Sequence, residues 1–549
     1  EGVGLHAEYV RRALAEQCAK HLRACLPAPG AKRADVEPMP FARAIEAVFG
    51  AVADSIMEHQ EPVEVEFGSE NFLIVLRGMV DEAGVQALKV VDKFVKDNTK
   101  VFKQQAGCDT VEVGRALEET SYITQFSHQF HAYVHRRAAE VVQSLADKDA
   151  WKADLPEGCS DGDGLLKEST LTRRMQELVN QYVSVEDNFL QQSVEKAVRE
   201  TDSLDPKDAD QLTTTLVDDV FFILRESVVR ATQTFEVNAV GAVFNYIGHA
   251  IGDQLGGALA ENLNKSKVRY SNWVSHAENV APPAPGAHPL ASLFLDREGG
   301  KGNLTAAVSW PHSLNNLQQC LEYLDQLKES TEQELVNCFA EGDQDKLPML
   351  QSLLSSALDD KKADLDNLHS RQCKESVKMF KVHLKPSLEP LGRLDYNIDE
   401  AQYEDFKVND PFAQACSSQT DLVYQHIRSV INPVSCEEIM QELATQVVKR
   451  LETEALSKKF SLLGALQFEQ DVRVLCSFFT DVSEQALRHK FARLFDMASI
   501  LSLESMDELR EIFSEVRAWK LRPDEMRKLL ASRTDLEAPE AEWDMLLPR

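Results

Sequence analysis

The stretch Leu171–Phe189, "LTRRMQELVNQYVSVEDNF", decides the fold. Its apolar residues Leu171, Met175, Leu178, Tyr182, Val185 and Phe189 are spaced four, three, four, three, four. That is the seam of a helix burying one narrow stripe against another helix. The seam lapses at Gln192 and Lys196. A second seam, Leu314, Leu317, Leu321 and Leu324, breaks at Lys328 and Thr331 before Leu335 and Cys338. Runs this short suit helices packed in bundles and fall short of a free coiled-coil rod.

The surrounding composition agrees. At 549 residues the chain exceeds one ordinary core, and roughly three to four domains are expected. Gly (24) and Pro (20) are scarce, which favours helix. Against 59 basic residues stand 89 acidic ones, a formal charge of −30; this argues against a nucleic-acid groove and against docking on anionic lipid through a polybasic run. The ten cysteines contain no C-x-x-C pair, the usage of reduced thiols. No stretch of about 18 uncharged apolar residues is present to span a bilayer. The first residue is Glu1 rather than Met, so the chain is expected to be a fragment of a longer protein.

The expected fold is all-α, with stacked helical bundles forming an elongated rod and a small helical bundle at the C-terminus. The expected divisions are an N-terminal bundle over 1–150, a middle bundle over 165–280, a linker over 281–304, a bundle with an acidic aromatic segment over 305–487, and a small helical domain over 488–549. Loops are read at the Pro-rich "LPAPGAKRADVEPMPF" (Leu26–Phe41), at "DLPEGCSDGDG" (154–164) and at "APPAPGAHPL" (281–290). "EPVEVEF" (Glu61–Phe67) alternates and reads as a stray extended piece. "LDYNIDEAQYEDFKVNDPF" (Leu394–Phe412) interleaves acids with Tyr396, Tyr403, Phe406 and Phe412. It is too aromatic for idle linker, and is expected to pack over a bundle or to meet a partner.

Candidate chemistry is sparse. His128, His131 and His135 share one helical face in "HQFHAYVHRR", a spacing that can hold a metal, and a metal-binding helical enzyme is the alternative of a different class. Arg136 and Arg137 follow directly, and the nearest preceding acids, Glu118 and Glu119, lie more than two turns back, so an orienting carboxylate is missing. "GGKGNLT" (299–305) lacks phosphate-loop spacing, and "SDGDG" lacks an EF-hand register. Gly248, Gly252 and Gly256 are spaced for close packing of two helices. No catalytic site and no cofactor is expected.

Three stretches carry a resemblance. "LTRRMQELVNQYVSVEDNFLQQSVEKAV" (Leu171–Val198) with "LTTTLVDDVFFILRESVVRA" (Leu212–Ala231), "DEAQYEDFKVNDPF" (Asp399–Phe412), and "FSLLGALQFEQDVR" (Phe460–Arg473) with the segments after it resemble subunit four of the conserved oligomeric Golgi complex. The last is similar to that family's L-G-G-L-Q-F-D pattern, with Ala465 in place of the second glycine. The resemblance implies a non-enzymatic helical-rod tether subunit, peripheral on the cytosolic face of the Golgi membrane. Its implied partners are sister subunits, SNAREs and Sec1/Munc18-type regulators, and its implied role is retrograde intra-Golgi transport and Golgi maintenance. Much of the family's partner binding is attributed to an N-terminal part expected to be missing from this fragment. A rod subunit of another tether, such as an exocyst-like one, shares the architecture.

One residue asks for an explanation of its own. In "HKFARLFDMASILSL" (His489–Leu503) an almost unbroken apolar helix carries Arg493. Two acids are candidate partners: Asp496 on the same helix at i+3, and Glu525, which lies between Leu521 and Leu529 in "LRPDEMRKLL" and so faces inward. The expected structural ion pair is Arg493 with Glu525.

Overall fold

The computed structural model describes residues 2–26, 38–104, 108–144, 170–200, 212–276, 310–339, 346–410, 412–483, 487–505, 508, 510–511 and 519–536. Most of the Pro-rich segment after Leu26, the turn-rich 154–164, the linker 281–304 and "GGKGNLT" lie outside the described residues. The helices are α1 (Gly2–Cys25), α2 (Pro40–Phe67), α3 (Ser69–Asp97), α4 (Thr99–Phe102), α5 (Thr110–Ser144), α6 (Thr170–Glu200), α7 (Leu216–Gln233), α8 (Val237–His249), α9 (Gly256–His276), α10 (Trp310–Phe339), α11 (Lys346–Arg393), α12 (Glu400–Val408), α13 (Ala413–Val430), α14 (Pro433–Ala455), α15 (Leu462–Asp481), α16 (Arg488–Leu501) and α17 (Pro523–Ser532). Extended pairing among the described residues is confined to isolated bridges, Tyr396 with Phe460 and Phe460 with Arg533. The protein is all-α. No helix among the described residues is long and apolar enough to cross a membrane.

The opening seam forms α6, and its course shows why the heptad reading lapsed. Leu171, Met175, Leu178, Tyr182 and Val185 are buried, and the stripe then moves to Leu190, Val194 and Ala197 while Phe189 stays half-buried. A straight helix at 3.6 residues per turn drifts relative to a 3.5 repeat, so the buried face advances one position where the heptad pattern ends. In α10, Leu327 and Thr331 are buried where the strict repeat put Lys328. "EPVEVEF" is helical, not extended: it forms the last turns of α2, with Pro62 inside the helix. Of its two alternating valines Val63 is buried and Val65 is 82% exposed, the pattern of a one-sided helix end.

The described chain divides into two compact units. The first takes Glu1–Glu200, Asp218–Gly256 and Tyr323–Lys362, so segments far apart in sequence share one core. Here α1, α2 and α3 pack on one another, with α5 against α2 and α6 against α5. Glu119 of α5 caps the start of α2, accepting from the Phe41 and Ala42 backbone N–H groups at 2.7 and 3.2 Å. A π-helical turn, Ala250–Leu255, follows α8. A Cβ at Gly248 would lie 2.7 Å from the Ala357 carbonyl oxygen and one at Gly252 2.8 Å from Lys361 Cδ, so these two glycines let the backbone approach the start of α11. Glu186, fully buried, accepts from Arg230 Nη2 at 2.5 Å, Arg230 Nε at 3.1 Å and Ser227 Oγ at 2.6 Å. A buried carboxylate is tolerated when several donors replace its water.

The second unit takes Thr201–Val217, Gly257–Glu322 and Ala363–Arg549. Asn315 is its polar organiser: Nδ2 donates to the Leu212 and Val430 carbonyls at 2.8 and 2.9 Å, and Oδ1 accepts from the Asn432 backbone N–H at 2.9 Å. Asn432 then caps α14 by accepting from Ser435 N at 2.8 Å. Within this unit α13 packs on α15, α15 on α16, α16 on α14 and α17, and α12 on α15.

Candidate functional site

On α16, Phe491, Leu494, Met497, Ala498, Ile500 and Leu501 are buried, and the helix is enclosed on several sides. Arg493 emerges from this face with its side chain 29% exposed. Its Nη2 donates to Glu525 Oε1 of α17 at 2.6 Å, its Nε lies 3.2 Å from Glu452 Oε2 of α14, and its Nη1 donates to the Lys520 carbonyl at 3.4 Å. Asp496 does another job: buried, it accepts from the Lys520 backbone N–H at 2.8 Å. One guanidinium therefore joins three helices, and Arg493 and Asp496 of α16 both hold the segment leading into α17.

Glu525 has a second function. Its Oε2 accepts from the Arg522 backbone N–H at 2.9 Å, which satisfies an orphan donor at the start of α17. Burial pushes the Glu525 carboxyl up. The Arg522 backbone N–H and the Arg522 and Arg493 guanidinium groups outweigh it and hold the group down at about 2. Glu452 behaves oppositely: burial raises it, against the pull of Arg493. Nothing local marks Glu452, one of five glutamates on α14; a cross-helix partner leaves no sequence periodicity.

The acidic aromatic segment splits in two. Tyr396 and Phe412 are fully buried, so of the two expected roles, packing over a bundle or meeting a partner, these two side chains take the packing one. Tyr396 stacks on Phe460 at 5.1 Å, meets Phe468 edge-on at 5.6 Å and donates from its hydroxyl to Asp471 Oδ2 at 2.7 Å. Gln467 Nε2 donates to the other Asp471 oxygen at 2.8 Å. Burial raises the Asp471 carboxyl to about 7, against these two hydrogen bonds. The Ser461 backbone N–H donates to the Tyr396 carbonyl at 3.1 Å, and a Cβ at Gly464 would fall 1.5 Å from that same oxygen. The motif glycine is thus a point of backbone contact, while Ala465 beside it is simply buried. Tyr403 and Phe406, on α12, are half-buried and line a shallow cleft with Gln470 and Arg473 of α15.

His128 stacks on Phe235 at 4.6 Å, and Phe235 also meets Phe339 at 6.0 Å. Burial, then the neighbouring His128, lowers His131 to about 4, and His135 is exposed. The cluster whose ligand atoms do converge among the described residues is a different one, His369, Cys373 and Glu438.

Fold and site together define an all-α, helical-bundle protein in which buried charge fastens helices to one another. Two family models match in order along it: "COG4 transport protein, middle alpha-helical bundle" over residues 1–101 and 96–263, and "Conserved oligomeric Golgi complex subunit 4, C-terminal" over 312–528. The chain belongs to the family of subunit 4 of the conserved oligomeric Golgi complex. It is 26% identical to the Homo sapiens subunit 4 over 565 residues, covering 98% of this chain and 70% of that protein. It is 29% identical to the Drosophila melanogaster subunit over 379 residues, covering 68% and 47%. Among solved structures, the C-terminal domain of the exocyst subunit Sec6p aligns with a TM-score of 0.44 at 13% identity, covering 68% of this chain and 90% of that one. The family is one of complex subunits and is not a known enzyme family.

Proposed function

We propose that this chain is a non-enzymatic subunit of a Golgi vesicle-tethering complex, peripheral on the cytosolic face of the Golgi membrane. It acts in intra-Golgi retrograde transport and Golgi maintenance by binding sister subunits, SNAREs and Sec1/Munc18-type regulators. The observation that carries this reading is the ordered match of the two family models to both compact units. The side-chain chemistry is consistent with it, since the buried charges at Glu186 and Glu525 and the partly exposed Arg493 are engaged in holding helices. Affinity purification of the tagged chain from cells tests the reading. Recovery of the other Golgi-complex subunits is the expected result. Recovery of exocyst subunits in their place, or of no tether subunit at all, would refute it.

A further inference from the structure

We propose that the C-terminal half of α11 and the middle of α14 form a docking groove for an acidic amphipathic helix of a partner protein. The basic side of the groove is written along α11. Arg371, Lys374, Lys378, Lys381 and Lys385 are spaced three, four, three, four and are all exposed. They share one helical face and run about 21 Å along it at 1.5 Å per residue. The one carboxylate within that span, Glu375, is already bound to Lys267 of α9. Among the described residues, Lys374, Lys378 and Lys381 have no carboxylate at ion-pair distance. Like charges at these spacings repel one another and weaken the helix that carries them, and they stand here in a chain whose formal charge is −30. Neither solubility nor pairing within the chain accounts for the stripe.

An apolar recess opens beside the stripe. Val377, Leu384 and Leu388 of α11 and Leu443 and Val447 of α14 line a cavity of about 300 Å³. The exposed Lys381, Lys385 and Arg450 stand at its edge, so two of the stripe's lysines belong to both features. Arg450 is bound to Glu454 at 2.6 Å. Lys385 lies 3.9 Å from Glu389, the one carboxylate among the described residues lining the recess, and Lys381 is left without a counter-ion. Charge complementarity therefore asks for an acidic occupant. The volume lies at the low end for specific pockets and suits one or two apolar side chains. A helix laid along α11 can send such anchors into the recess from positions i and i+3 or i+4 while its acids meet the lysines. A bilayer matches less well, because Val377, Leu384, Leu443 and Val447 are only 1–3% exposed. They lie sunk below the cations, where a projecting side chain reaches and a flat headgroup layer does not.

The purified full chain tests this independently of any tether partner. A fluorescent helical peptide of about 20 residues, with leucine at i, i+3, i+4 and i+7 and glutamate on its other face, is titrated and followed by anisotropy. Wild type and a Lys459→Glu control are expected to bind it, with affinity falling as salt rises. Lys381→Glu combined with Lys385→Glu is expected to bind at least about tenfold more weakly. Leu388→Ser is expected to weaken binding while keeping the salt dependence. The substituted side chains are exposed or half-buried, and circular dichroism checks that each variant stays helical. No binding to wild type, equal binding by the double variant or by Leu388→Ser, or equal binding of a peptide with lysine in place of glutamate overturns the proposal. Capture of phosphatidylserine vesicles in place of the peptide, lost in the double variant, overturns it in favour of a membrane surface. Self-association of the chain that the double variant disperses overturns it in favour of a contact between copies.

Discussion

Replacing Arg493 by Ala removes the only cation that the two glutamates Glu452 and Glu525 share in the contacts described above, and leaves two carboxylates of neighbouring helices facing each other. The magnitude follows from Glu525. Its carboxyl is held near 2 against an ordinary 4.5, and at about 1.4 kcal/mol per unit that difference is worth roughly 3 kcal/mol at neutral pH. Part of it survives in Arg493→Ala, because the Arg522 backbone N–H still serves Glu525. Glu452 adds a cost in the other direction, since burial already raises it. The expected loss is about 2–3 kcal/mol, below the ~3–5 kcal/mol of a fully buried pair because Arg493 keeps some solvent. A two-unit chain need not unfold in one step, so the measurement is amide hydrogen exchange in α16 and α17, which reports local opening. Those amides are expected to exchange roughly 30- to 150-fold faster in Arg493→Ala. Glu525→Ala is expected to cost at least as much, because it also removes the acceptor for the Arg522 backbone N–H, and the double variant to lose at least about 1 kcal/mol less than the sum. The pH dependence has a fixed sign: a depressed carboxyl stabilises fully above about 4.5, and that contribution fades as pH falls toward 2. Strictly additive losses below about 1 kcal/mol each would refute the reasoning and reduce the contact to a solvated surface pair.

Two other positions give separate tests. Gly464→Ala places a methyl group where the Tyr396 carbonyl sits, so α15 must move away from Tyr396; a loss of about 3 kcal/mol or more is expected, while Ala465→Gly, on the neighbouring buried position, costs about 1 kcal/mol, and equal melting shifts for the two would contradict this. Asp471→Asn tests the raised carboxyl: the folded state holds its proton up to about 7, so in wild type this group makes stability fall as pH rises from about 4 to 7, and the variant's denaturation midpoint is expected to lose that slope, an unchanged slope ruling the assignment out.

What was legible in the sequence was local. The stripe of α6 could be read to Val185, because side chains on one helix face repeat along the chain. It could not be followed from Phe189 to Leu190, because the 3.6-residue turn of a helix drifts away from a 3.5-residue template. "EPVEVEF" misled because alternation and a one-sided helix end place valines alike over so few residues, and only the burial of Val63 without Val65 separates them. Arg493 stood out for being set in an apolar helix. The sequence left Asp496 and Glu525 open, and the geometry gives each a different donor. Glu452, the Tyr396 to Asp471 bond and the approach of Glu438 to His369 all bring together residues more than forty positions apart, and no periodicity announces such pairs.

The segment most similar to the family pattern, Phe460–Arg473, is turned inward. Gly464 touches the Tyr396 backbone, Phe468 packs against Tyr396 and Phe460, and Gln467 holds Asp471. In this chain the junction needs each of these residues, whatever the domain binds. We propose that partner contacts fall on side chains outside this junction, such as Tyr403 and Phe406 on α12, half-exposed beside Lys407. A substitution in the motif removes binding together with stability, whereas one at Tyr403 or Phe406 can remove binding alone. Only the second kind of loss identifies an interface.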